Sequence, residues 1–177
     1  HARHSNGTWS VEAYQALIEC DKRFGRIVEQ LKRLGIYEET NFAVFGDHGH
    51  MPVKQVFNPN VILRQKGLIE LDENNLVKSW KAYCHSAGLS THVVLADPAD
   101  LAVRKQVEDI MAELVADEKL GCEQIVDKKT MKEVWHLDGP FEYVIEGRPG
   151  TSFGNRCTEP MIMATDNSDY KISVSAH

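Results

Sequence analysis

The long amphipathic run from Ser10 to Leu34, followed at once by a short apolar one, does most to limit what this chain can fold into. Tyr14, Leu17, Ile18, Phe24, Val28 and Leu31 recur at helical spacing and form one stripe. Ser10 can cap the start of that helix, and Gly35 can close its end. Thr40 to Gly46 then reads as a buried strand built on Asn41, Phe42, Ala43, Val44 and Phe45. A long helix leading into a short buried strand predicts an α/β unit with a central sheet. Asp21 falls on the apolar stripe, where a carboxylate is expected to be buried and hydrogen-bonded. Gly25, inside the helix, is expected to mark close packing.

The texture changes after this unit. Asn58 and Pro59 open a short helix that Gly67 closes, because proline suits a first-turn position. Leu68 to Leu71, Leu76 to His85 and Ser90 to Ala96 read as strands. The stretch from Ala99 to Ala116 reads as a second long helix. Glu123 to Val126 and Phe141 to Ile145 read as strands, with a short helical turn near Lys128 to Trp135. A turn follows at Gly147 to Gly150, then a loop-rich stretch, then a last strand at Tyr170 to Ser175. The expected fold class is therefore an α/β core with an inserted α+β cap domain. Residues 1–55 and 154–177 are assigned to the core, and 56–153 to the cap.

Composition narrows the partners. At 177 residues the chain amounts to about one domain. With 26 acidic against 20 basic side chains, the net charge of −6 argues against a nucleic-acid polymer or an anionic membrane surface. No apolar stretch approaches the ~20 residues of a membrane span. The four cysteines, Cys20, Cys84, Cys122 and Cys157, form no C-x-x-C pair. They read as free, mostly buried thiols, which favours a reducing, cytoplasmic compartment. Asn6, Gly7 and Thr8 match a glycosylation sequon that is not expected to be used. The chain has no initiator methionine and no signal-peptide pattern, and it is expected to be a piece of something longer.

The densest chemistry is Gly46-Asp47-His48-Gly49-His50, just past the expected strand. In α/β sheets ligands gather beyond the carboxyl ends of strands. A carboxylate beside an imidazole suits a divalent metal such as zinc, and the glycines let the backbone turn tightly. The bland reading is a polar turn whose histidine bonds nearby backbone. His1 and His4 flank Arg3 ahead of the long helix, and His177 ends the last strand. Taken alone these are terminal histidines. Asp166 and Asp169 read as solvated loop carboxylates. His85, His92 and His136 read as ordinary histidines, and Arg148 as a turn residue with a weak case for phosphate binding. No G-x-G-x-x-G after a strand, no P-loop and no G-x-S-x-G elbow is present.

In order along the chain stand His4-x-x-Gly7, Cys20-Asp21-x-x-Phe24-Gly25, Thr40-Asn41 and Gly46-Asp47-His48-Gly49. This order resembles the alkaline-phosphatase superfamily, in particular its type I phosphodiesterase/nucleotide pyrophosphatase branch. The resemblance implies two divalent metal ions, most simply zinc. It matches Asp47 and His48 to ligands of one ion, and His4 and His177 to ligands of the other. It puts further carboxylate ligands and the nucleophilic Thr or Ser upstream of His1, so no catalytic nucleophile is assigned within the chain. His50 stands where the family often has Met, and is placed outside the ligand set. The implied function is hydrolysis of small-molecule phosphate diesters or monoesters by a longer parent. The isolated chain is expected to be inactive and to bind metal weakly, with His4 and His177 not necessarily close. The alternatives are a non-catalytic binding module with a relic Asp-His-Gly turn, or a related mutase or phosphonate hydrolase.

Overall fold

Ser10 caps a helix as the sequence predicts, its side chain accepting from the Ala13 amide at 3.1 Å. A computed structural model describes residues 1–166 and 173–177. In chain order the first elements are α1 (Ala2–Asn6), α2 (Val11–Arg33), β1 (Met51–Pro52), β2 (Gln55–Phe57) and α3 (Pro59–Gln65). β3 (Ile69–Leu71), β4 (Val77–Trp80), β5 (Ala82–Ser86), β6 (Ser90–Leu95) and α4 (Leu101–Ala116) follow. The rest are β7 (Cys122–Asp127), α5 (Lys128–Val134), β8 (Tyr143–Gly147), β9 (Thr151–Phe153), β10 (Ile162–Met163) and β11 (Ser175–Ala176). The expected strand Tyr170 to Ser175 lies largely outside the described residues, as does Asp169.

The main sheet is antiparallel, in the order β5-β6-β8-β7. Its two faces follow from the period-2 alternation of side chains. Val93, Tyr143 and Ile145 point to the face covered by α4, where Val107, Ile110, Met111 and Leu114 are buried. Val94, Val126 and Val144 serve the opposite face, with Met131 of α5 and Phe141. Asp100 fixes the start of α4 by accepting from the amides of Ala102 and Val103, each at 3.0 Å. The expected strand Leu76 to His85 is divided at Lys81. There the Lys81 amide donates to Leu68 O at 2.8 Å, and its carbonyl accepts from the Ala96 amide at 2.9 Å. The backbone thus leaves the β3–β4 hairpin and joins β6 at that residue.

β5 is a sheet edge, and Asn60 completes it. Its amide donates to Cys84 O at 2.9 Å and its carbonyl accepts from the Cys84 amide at 2.8 Å, all in the interior. One side chain does for β5 what a residue of a further strand would do. A three-stranded sheet β10-β2-β9 joins the segments near 56 and 153. A two-stranded one pairs β1 with β11.

Two expectations fail at the start of the chain. α2 has the predicted limits, yet its stripe is not buried: Tyr14 is 67% exposed and Leu17 58%. Ala13 is the buried residue of that helix, and Asp21 is exposed rather than interior. Thr40 to Gly46 forms no strand, and Val44 and Phe45 are 81% and 86% exposed. A buried strand needs neighbours that accept and donate along its backbone, and the described residues supply none here. Phe42 instead folds back on α2, with its ring 5.4 Å from that of Phe24.

Truncating Asn60 to alanine leaves an N–H and a C=O of Cys84 buried without partners. Each such group costs about 1–3 kcal/mol, so Asn60→Ala is expected to lose about 2–5 kcal/mol in urea denaturation. A loss below 1 kcal/mol would show that water reaches the β5 edge.

Candidate metal centre

The β1–β11 pairing builds the site. Its register sets Met51 opposite Ala176 and Pro52 opposite Ser175. One step further along an antiparallel pair, His50 lies across from His177. The ring centroids of these two are 5.3 Å apart. α1 packs on β11 and delivers His4, whose ring lies 4.4 Å from that of His50 and 5.4 Å from that of His177. One ring nitrogen from each of His4, His50 and His177 falls within 4.8 Å of the others. The expectation that His4 and His177 need not meet is thus corrected.

Ser175 orients the cluster. His4 Nδ1 lies 2.9 Å from Ser175 O. A carbonyl only accepts, so His4 donates from Nδ1, which leaves Nε2 as the nitrogen that a metal would take. Ser175 Oγ meets His50 Nδ1 at 3.2 Å and Thr8 Oγ1 at 2.7 Å, which also uses the Thr8 hydroxyl of the sequon. Hydrogen bonds of this kind fix the ring orientation of metal-binding histidines. Burial pushes the His50 imidazole down to about 4, and the neighbouring His4 and His177 add to the effect. Burial, then His48 and His4, also lower His177. Both rings are therefore held toward the neutral form, which is the one that binds metals.

Asp47 and His48 stand beside this cluster, with the His48 ring stacked on that of His177 at 3.7 Å and 26°. His48 Nδ1 lies 3.0 Å from Gly49 O, so it too donates, and Nε2 is the nitrogen turned to the cleft. That nitrogen faces Asp47 Oδ2 at 3.4 Å. The imidazole meets the carboxylate through its own proton when charged, and through a divalent ion when neutral. Bonds of about 2.0–2.2 Å from one tetrahedral zinc would hold such atoms about 3.4 Å apart. The donor chemistry and the spacing both fit a divalent ion. The Asp47 carboxyl is lowered by backbone hydrogen bonds from His48 and from itself, then by the His48 charge.

These groups line an open cleft of about 460 Å³, whose wall is completed by Arg3 and the first turns of α2. All four residues expected as ligands, His4, Asp47, His48 and His177, line it. His50 is the member that sequence reasoning left out. His1 also lines the cleft, whereas His92 lies elsewhere, stacked on Phe141 at 4.5 Å, as does His85 beside Tyr83. Arg148 is a turn residue, its Nε donating to Cys122 O at 3.2 Å.

Residues 1–173 match the type I phosphodiesterase / nucleotide pyrophosphatase family. The chain belongs to that family. This places it in a family of phosphodiester and pyrophosphate hydrolases, the branch that the order of its motifs implies. No curated protein matches it at a significant level. The family match covers Asp47 and His48 but stops before Ser175 and His177; the place of His177 in the cleft is a finding of the structure. Among the described residues no helix is long and apolar enough to cross a membrane.

Gly88 holds the far side of the cluster. It has φ 90°, and a Cβ there would stand 2.3 Å from His177 O. The next amide, Leu89 N, donates to that oxygen at 3.3 Å. Gly88→Ala must move the His177 backbone as well as adopt a left-handed conformation, at about 1–3 kcal/mol. It is expected to lower both the melting temperature and the zinc affinity. An unchanged zinc titration would show that the Gly88 loop does not seat His177.

Proposed function

We propose that this chain carries the metal-binding face of a phosphohydrolase that acts on small-molecule phosphate diesters or monoesters. One observation carries the reading. Four ligand-type residues from three distant segments, His4, Asp47 with His48, and His177, converge on one cleft in a member of this hydrolase family. Two divalent ions, most simply zinc, are proposed to be shared between the pairs Asp47 with His48 and His4 with His177. When bound they would supply Lewis-acid stabilisation of the attacking and leaving oxygens of an in-line phosphoryl transfer.

The chain's own residues supply the rest of the setting. Asp47 brings the negative charge that favours a divalent ion over water. Arg3, on the cleft wall, is placed to attract a phosphate oxygen. Among the described residues, the hydroxyls of Thr8, Ser173 and Ser175 beside the imidazoles are buried and hydrogen-bonded, so these three are not offered to a substrate. The reading therefore takes the nucleophile from a longer parent and leaves the 177-residue chain without turnover. Residues 56–153 are read as a cap, which the self-contained β5-β6-β8-β7 sheet and its α4 cover support. The four free cysteines, three of them buried, fit a reducing compartment such as the cytoplasm.

Zinc titration of the 177-residue chain and of its Asp47→Asn variant tests the metal assignment. The variant keeps the shape and removes the charge, and is expected to lose at least tenfold in affinity. Equal affinity would remove Asp47 from the ligand set. A chromogenic aryl phosphodiester is expected to remain intact with the zinc-loaded chain. Turnover by these residues alone would place the nucleophile within them.

A further inference from the structure

We propose that His50 is a direct ligand of the same divalent ion as His4 and His177, so that this chain presents a three-imidazole face. The inference rests on the metal-dependent reading above and extends it by one residue. The argument is geometric. A zinc–nitrogen bond of about 2.0–2.1 Å puts an imidazole centre about 3.2 Å from the ion, and tetrahedral angles then separate two such centres by about 5.2 Å. The three centroid separations are 4.4, 5.3 and 5.4 Å. The rings are inclined to one another by 71°, 69° and 61°, so they surround a common point rather than stack. His48 differs: it lies nearly flat on His177 at 26°.

The ligand nitrogens need little movement. Tetrahedral zinc holds its nitrogens about 3.4 Å apart, and here they lie within 4.8 Å of one another. Rotation of the rings closes the difference without moving backbone. A role outside the ligand set would have His50 contact the far nitrogen of another ligand. It bonds Ser175 Oγ through Nδ1 instead, and with Nδ1 donating to that hydroxyl Nε2 is the nitrogen left for the ion. Edge-to-face packing of aromatic rings is a competing reason for the inclination, but it does not require the ring nitrogens to converge. Three protein ligands with a fourth position open is the usual set at a catalytic zinc.

Zinc chloride titrations of the 177-residue chain by calorimetry, with His50→Phe and His4→Phe variants, test this. The expected result is a loss of at least tenfold in affinity for both variants at one shared site. A second measurement avoids dependence on how the variants fold. In the wild-type chain labelled with ¹⁵N at histidine, zinc is expected to shift Nε2 of His4, His50 and His177 together. If zinc moves His4 and His177 while His50 stays at its metal-free position, or if only His4→Phe weakens binding, this inference falls and the proposed function stands. If the wild-type chain takes up no zinc, both fall.

Discussion

The antiparallel pairing of Met51 with Ala176 is the contact on which the histidine cluster depends. It is only two residues long, and strands of that length contribute little alone. Its strength comes from what surrounds it. The Val53 amide donates to Val174 O at 2.9 Å and extends the pairing. Ser175 reaches sideways to His4, Thr8 and His50, and Leu89 anchors the last carbonyl. Five separate contacts thus over-determine one short crossing. Remove the crossing and His177 returns to a segment more than a hundred residues from His4 and His50.

The remainder of the molecule provides a firm base for this rim. The four-stranded sheet packs on α4 through fully buried side chains such as Val107 and Ile145. That sheet carries no expected ligand. Its contribution is to hold the 87–90 loop, and through Gly88 the carbonyl of His177, in place. The ligand-bearing segments sit outside the core, where small shifts of side chains cost little. A cleft proposed to admit an ion and a phosphate gains from that separation.

The sequence was most readable where the decisive groups are neighbours. The Ser10 cap, the Pro59 start of α3 and the Asp-His-Gly turn each depend on residues within a few positions, and each was legible. Residues 40–46 misled because their composition is strand-like, while a strand is a property of its neighbours as well. The helical stripe of α2 misled for the same reason: periodicity states which face is apolar, not what covers it. His50 was passed over because its partner Ser175 is 125 positions away, and no local spacing announces such a meeting. Asp47, His48, His4 and His177 were found from the order of the family's motifs. Among them, the nearness of His4 to His177 had no signature in their own surroundings.

The uncovered face of α2 and the run from Phe42 to Phe45 have a consequence for the chain in solution. Val44 and Phe45 stand almost fully open beside an unpaired backbone, with no charged side chain between Asn41 and Gly46. Such a surface attracts its own copies, through backbone pairing and through apolar contact. Hydrophobic attraction strengthens on warming from low temperature. The isolated chain thus offers a second copy both a backbone to pair with and an apolar face to cover, and warming from low temperature strengthens the second of these.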